Sequence, residues 1–342
     1  MGYIIGSFNL KNFSDNTLEK RDLSKIAEII TKEKFDVVAL QEIFSRKNED
    51  RMIENAILYE LEPGWEFQWA DAENGNRHEG YAFLWNSRRL SLAIDDDGNV
   101  FKPRIWEKTG RGTIIRQLVN ESVLSIAEEG GRKLKPFYAR FIPTEETGGT
   151  HFEIRLICIH TYFGDDKEID RIIRQGEIME VLTEIYPEIE DTIYCKDRPS
   201  YTIVLGDYNL RIKKLKGEED SNINKAPYLE TDDNNIVLAR EEWDGWGNLI
   251  INDKTKKIVT VQGEFTTLKK PPNNNSEQEV FLGGYANDYD HFSYNVDIEN
   301  IRKVMLNCQR IDAVNNYYNG DFKSYHKNVS DHVPIKLEIE LR

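Results

Sequence analysis

Five short apolar runs, scattered along almost the whole 342-residue chain, each adjoin a residue able to carry chemistry. Phe8 leads into Asn9-Leu10, and Val37-Val38-Ala39-Leu40 into Gln41-Glu42. Ile157-Cys158-Ile159 leads into His160-Thr161, and Val204-Leu205 into Gly206-Asp207-Tyr208-Asn209. The fifth signature, Ser330-Asp331-His332-Val333-Pro334, stands just before the final apolar stretch. Runs of this length are strands, and the loops that leave a rigid sheet are where function collects. Singly, each signature has an ordinary structural explanation: Asn and Asp-x-Asn are turn chemistry, and a histidine closing an apolar run is most often a satisfied rim residue. Together they describe a chain that uses the ends of its sheets.

The rest of the pattern is consistent with one large α/β core. Strand-like runs fall at 3–8, 36–40, 66–70, 81–86, 137–142, 152–159, 201–205, 290–296 and 333–341, and helical spacing at 18–32, 53–61 and 168–186, the last ending before Pro187. Strands and helices alternate early and strands dominate late, which favours a mixed-sheet α/β sandwich over a doubly wound parallel fold. Without repeats or a long linker, a single domain over 1–342 is expected, with insertions at 95–131 and 211–280, the first holding a short helix over 113–128. No apolar stretch approaches the roughly 20 residues of a membrane span. The start of the chain shows neither a basic region nor a long apolar core of a secretion signal, so a cytoplasmic protein without membrane association is expected. Cys158, Cys195 and Cys308 are widely spaced, which suits reduced thiols.

A net charge of −15 argues at first sight against a nucleic-acid partner. An enzyme that grips phosphate through a divalent cation needs acidic ligands, however, and the total conceals local asymmetry. Between Asn86 and Arg140, 11 Lys and Arg face 7 Asp and Glu, and Arg211-Ile212-Lys213-Lys214-Leu215-Lys216 is a compact basic run.

In their order and spacing the five signatures resemble the endonuclease/exonuclease/phosphatase family, which includes the deoxyribonuclease-I-like nucleases. The resemblance runs from Tyr3 to about Leu341, and Gly6-Ser7-Phe8-Asn9-Leu10 is also similar to the nuclease subunit of cytolethal distending toxins. Glu79-Gly80-Tyr81-Ala82-Phe83-Leu84-Trp85 resembles the segment whose Glu holds the first catalytic histidine, and Tyr289-Asp290-His291-Phe292 the segment that supplies a further active-site Asp, with Asp290 favoured over Asp288. The resemblance implies a four-layer sandwich of two mixed, mainly antiparallel sheets flanked by helices. It also implies Mg²⁺, with Mn²⁺ or Ca²⁺ as substitutes, and metal ligation by Glu42, Asn9 and Asp331.

The expected catalytic set is His160, Glu79, Asp207, Asn209, Asp290, Asp331 and His332. Glu79 would hold His160 protonated as a donor, Asp331 would orient His332, and either Asp207 or His332 would take the proton of the attacking water. Asn209 would give its amide to a phosphate oxygen. The implied activity is hydrolysis of phosphodiester bonds, with DNA cut at little sequence preference as the first expectation. The place where inositol phosphatases carry Trp-Cys-Asp-Arg reads Ala286-Asn287-Asp288-Tyr289-Asp290-His291, which lowers that alternative. A phosphatase or lipid phosphodiesterase of the same fold is the second expectation and a non-catalytic binding module the third. For substrate binding, Arg132-Lys133-Leu134-Lys135-Pro136-Phe137 resembles an Arg-x-Pro phosphate contact, but Leu134 stands where the Arg should, leaving Arg132, Lys133 and Lys135 open. Tyr208, with Tyr81, Trp85 and Trp106, is a candidate for stacking on sugars or bases.

Overall fold

Alternation of buried and exposed positions breaks down in the central strands, which are apolar on both faces and so need a cover on each. The computed structural model describes residues 2–44, 51–72, 79–95, 97–106, 135–144, 152–161, 164, 168–194, 198–214, 228–231, 258–261, 264–270, 283–296 and 304–341. Fifteen strands are described: β1 Gly2–Ser14, β2 Val37–Phe44, β3 Trp65–Asp71, β4 Glu79–Asn86, β5 Leu90–Leu92, β6 Arg104–Ile105, β7 Phe137–Pro143, β8 Glu153–His160, β9 Ser200–Asp207, β10 Arg211–Lys214, β11 Tyr228–Thr231, β12 Ile258–Val261, β13 Asp290–Asn295, β14 Val304–Arg310 and β15 Ile335–Leu341. One sheet runs β14-β15-β1-β2-β4-β3 and the other β12-β13-β9-β8-β7-β5, with β6 also pairing β7. A small parallel pair, β10 and β11, stands apart from both.

Each large sheet is antiparallel except at one place, where β1 pairs β2 and β8 pairs β9 in parallel. The inner faces meet in a core that includes Tyr3, Ile5, Val37 and Phe83 from one sheet and Phe137, Leu156, Ile203 and Phe292 from the other. On the outer face of the first sheet, helices α1 (Leu23–Lys32) and α2 (Arg51–Glu60) bury Ile26, Ile29, Ile30, Ile53 and Ile57. Ala313, Val314 and Tyr325 of the short helices over Ala313–Tyr318 and Phe322–Asn328 join that layer. The second sheet is covered by α3 (Glu168–Glu180), a π-helical turn (Val181–Ile185) and α4 (Tyr186–Asp191), through Ile178, Leu182, Ile185 and Ile189. The architecture is therefore the expected four-layer α/β sandwich of two mixed, mainly antiparallel sheets.

Several expectations need correction. The helix read over 18–32 begins only at Leu23, because Asp22 caps it by accepting from Lys25 N at 3.1 Å, and a 3₁₀ segment, Asp15–Lys20, precedes it. The helix read as stopping before Pro187 continues to Asp191. The π turn absorbs the proline by shifting the hydrogen-bond ladder one residue, so that Tyr186 N donates to Val181 O. The span 211–280, read as an insertion, contributes the edge strand β12 to the second sheet. The helix expected over 113–128 lies outside the described residues. Among the described residues, no helix is long and apolar enough to cross a membrane.

One glycine fixes how the sheets end. Gly206, at φ 142°, pairs with Ile159 in the parallel ladder of β8 and β9, one position before the His160–Asp207 pair. A Cβ on residue 206 would stand 1.9 Å from Ile159 O, and both backbones are tied into the sheet. Gly206→Ala is therefore expected to lower unfolding free energy by about 2–4 kcal/mol. Urea denaturation reads this directly, and an unmoved midpoint would show that the strand ends tolerate the extra carbon.

Candidate active site

The carboxyl ends of the two parallel strand pairs point to one place. From the first pair come Asn9 and Glu42. The ladder between β1 and β2 slips between Asn9 and Phe13, and that between β2 and β4 between Leu40 and Ile43. Lys11, Asn12 and Glu42 take left-handed backbone there, at φ 42°, 49° and 57°. The bulge breaks strict alternation, and both Glu42 oxygens are then held: Oε1 accepts from Asn9 Nδ2 at 2.9 Å and Oε2 from Asn12 N at 2.9 Å. Asn9 Nδ2 also donates to Asp207 Oδ2 at 3.0 Å, while its Oδ1 accepts from Lys11 N at 2.8 Å. Asn9 thus bridges two carboxylates through its amide hydrogens. Its oxygen, which the resemblance assigns to a metal, accepts one backbone hydrogen bond and keeps a second lone pair.

From the second pair come His160 and Asp207. The Nδ1 of His160 lies 2.8 Å from Glu79 Oε1, and its backbone N donates to the Tyr81 hydroxyl at 2.9 Å. Asp207 is buried; its Oδ1 accepts from Asn209 N at 2.8 Å. Asn209, at φ 47° and itself buried, donates an amide hydrogen to Thr161 O at 2.8 Å, which braces the strand ends.

His332 corrects the sequence reading most. Its Nδ1 lies 2.8 Å from Oδ2 of Asp290, the first residue of β13, while the adjacent Asp331 turns away to an ion pair with Lys11 Nζ. Asp331 is thus placed neither as the orienting carboxylate of His332 nor as a free metal ligand. Asp288, the alternative to Asp290, pairs with Arg211 at 3.1 Å.

The two imidazoles converge. Asp207 Oδ2 lies 3.5 Å from His332 Nε2 and 3.8 Å from His160 Nε2, and Glu42 Oε1 lies 4.0 Å from the same His160 nitrogen. Burial alone would lower the pKa of each histidine. For His160 the hydrogen bond and charge of Glu79, aided by Asp207 and Glu42, overcome it and push the value up to about 10. For His332 the charges of Asp290 and Asp207 do the same, again to about 10. Burial moves Asp207 above the ordinary carboxylate range, with Asp290 adding to the rise and both histidines opposing it. For Asp331 burial also pulls upward, but His332 and Lys11 outweigh it and hold the value low.

Oxygen donors dominate the cluster, as a hard divalent cation requires. Asp290 Oδ1 is buried without a hydrogen-bond partner, and Asp207, Asp290 and His332 offer ligand atoms within 4.8 Å of one another, a group that could hold a metal ion. The donor set thus fits a divalent cation.

Of the residues expected to bind substrate, Arg132 and Lys133 lie outside the described residues. Lys135 has its backbone N on Ala72 O at 3.4 Å. Tyr208 is fully buried in the outer core of the second sheet, with its hydroxyl 3.0 Å from Ser293 Oγ, and cannot stack on a ligand. Tyr81 and Trp85 are buried likewise. Two positioning residues carried no separate signal in the sequence. Ser330 Oγ donates to Asn9 O at 2.7 Å and accepts from His332 N at 3.1 Å, tying the last motif to the first. Thr266 Oγ1 accepts from Asp290 N at 3.3 Å.

No family model matches the sequence, and no curated protein matches it. Solved structures match throughout. An endonuclease/exonuclease/phosphatase family protein from Bacteroides thetaiotaomicron aligns at TM-score 0.50 and 12% identity, covering 100% of this chain and 98% of that one. ANGEL2, a 2′,3′-cyclic phosphatase, in complex with adenosine-2′,3′-vanadate, aligns at 0.52 and 13%, covering 100% and 96%. D. rerio TDP2 complexed with single strand DNA product aligns at 0.50 and 12%, covering 99% and 99%. The likeness establishes the fold, and the resemblance read from the sequence holds at that level.

The histidine pairs make stability depend on pH. Both folded values, about 10, exceed the ordinary histidine value of about 6.5, so the folded state binds more protons than the unfolded one between them. Their contribution is full below roughly pH 6.5 and is lost as pH rises towards 10. With chelator present, unfolding free energy is expected to decline over that window, and less steeply in Glu79→Gln. Equal slopes in urea titrations of the two proteins would remove Glu79 as the partner of His160.

Proposed function

We propose that the chain is a divalent-cation-dependent phosphodiesterase that cuts nucleic acid, DNA first, with little sequence preference. One observation carries this: a buried carboxylate, Asp207, stands between the Nε2 atoms of two imidazoles that are each held from behind by a separate carboxylate. Hydrolysis of a phosphodiester demands a proton acceptor for water, a donor for the leaving oxygen and cations for the phosphate. This set contains all three.

The division of labour follows from proton affinity. An imidazole that keeps its proton up to about pH 10 is a cation at neutral pH and does not accept another. His332 therefore presents a charged N–H to a phosphate oxygen. Asp207, raised by burial and already within reach of both imidazoles, takes the proton of the attacking water. His160, with Glu79 behind it, gives its Nε2 proton to the leaving oxygen. Glu42 would hold the cation: it is partly exposed, and its oxygens are aimed by Asn9 and Asn12. When bound, a divalent ion neutralises a non-bridging oxygen and stabilises charge that develops there. We further read 1–342 as one domain, since its first and last strands, β1 and β15, are neighbours in one sheet.

Nucleic acid is favoured by two of the structural neighbours, one complexed with a single-strand DNA product and the other a 2′,3′-cyclic phosphatase. Depth favours a second reading. The reactive side chains of His160 and His332 are only 11% and 9% exposed, which suits a slender terminal phosphate ester better than the middle of a duplex.

Supercoiled plasmid and an oligonucleotide ending in a 2′,3′-cyclic phosphate, each incubated with Mg²⁺ or with chelator, separate the two. Mg²⁺-dependent nicking that falls by about 10²–10⁴-fold in Asp207→Asn is the expected result. Opening of the cyclic ester without nicking would support the phosphatase, and inactivity on both would reject hydrolysis of nucleic acid.

A further inference from the structure

Lys11 lies two residues past Asn9, inside the bulge of β1, and the proposed chemistry leaves it unused. Its Nζ is ion-paired with Asp331 Oδ2, the carboxylate next to His332. A lysine at φ 42° occupies a backbone region that β-carbons disfavour. This one is over-determined. Its N donates to Asn9 Oδ1 at 2.8 Å, and its carbonyl accepts from Arg21 Nη2. Arg21 is anchored in turn by Nη1 on Val329 O at 2.6 Å. Backbone strain that the surroundings hold in place is a mark of a functional position. The pair is also accessible: the Lys11 and Asp331 side chains are 30% and 19% exposed, so the ammonium stands at the rim of the site and not beneath it.

The carboxylates at the site divide accordingly. Glu79 and Asp290 each hold an imidazole, Glu42 and Asp207 share Asn9, and Asp331 carries the lysine ammonium. A carboxylate already neutralised by a tethered ammonium gains little from Mg²⁺, which gives up its water reluctantly. A second dication would also be repelled by the ammonium at short range. We propose that Lys11 is a built-in cation: it takes Asp331 out of the ligand set, limits the site to one divalent ion at Glu42, and supplies a permanent positive charge where a second ion would otherwise sit. The inference rests on the proposed function only in taking Glu42 as the ligand.

Isothermal titration of the full chain with Mn²⁺ tests it by counting ions. The wild type is expected to bind one equivalent, and Glu42→Gln to weaken it by at least about tenfold. Lys11→Met, which keeps the stem and removes the charge, should take up a second equivalent, while Lys11→Arg stays at one. Two equivalents in the wild type, or a Lys11→Met isotherm that overlays the wild type, would overturn the inference. Should Lys11→Met fail to fold, Asp331→Asn decides: binding unchanged within about threefold agrees with a carboxylate outside the ligand set, and a loss beyond about tenfold overturns it. The two levels of failure are distinct. Mn²⁺ binding that ignores Glu42→Gln, or no binding at all, brings down the assignment of Glu42 and this inference with it; binding that needs Glu42 but ignores Lys11 brings down this inference alone.

Discussion

A carboxylate with almost no contact with water, Asp207, sets the terms for the rest of the molecule. Burying an unpaired charge is among the most unfavourable things a fold can do, so every group around Asp207 is there to answer it. Asn9 and Asn209 donate to its two oxygens, and two imidazoles face one of them. Those imidazoles bring their own need for compensation, which Glu79 and Asp290 meet. The result is an alternation of negative and positive groups, each neutralising the next. Deleting a member leaves its neighbour as an uncompensated buried charge, which is why the effects of single substitutions here will not add.

Geometry makes that alternation possible. Each sheet is antiparallel but for one parallel pair, and those pairs, β1 with β2 and β8 with β9, deliver two strand ends apiece to the same edge of the sandwich. Antiparallel neighbours then contribute from the opposite direction: Asp290 opens β13 directly beside Asp207, and Glu79 opens β4 beside Phe44. Strand beginnings and strand ends thus share one rim. Residues distant in sequence are set by backbone ladders, which makes the rim stiffer than one assembled from loops.

Much of this was legible in the chain. The apolar runs gave the central strands, and the residues that close them gave Asn9, Glu42, His160 and Asp207 as neighbours in space. What was not legible has physical reasons. Asp331 drew attention as the neighbour of His332, yet consecutive residues in extended chain face opposite ways, and the partner is Asp290, forty-odd positions earlier. Tyr208, next to Asp207, is likewise turned into the core of the second sheet. The bulge that aims Glu42 depends on left-handed backbone at Lys11, Asn12 and Glu42, none of which is glycine, so composition gave no warning. Strand β14 is hidden in the sequence because Asn307, Gln309 and Arg310 break its apolar pattern.

The contact between Ser330 and the backbone of Asn9 has a consequence in time as well as in space. β15 is an interior strand, flanked by β14 and β1, so β1 waits for β15 before its outer ladder is filled. Asn9 leaves the ribosome long before His332 does. Until then the polypeptide carries only part of the site, and a chain terminated between the two motifs cannot assemble it.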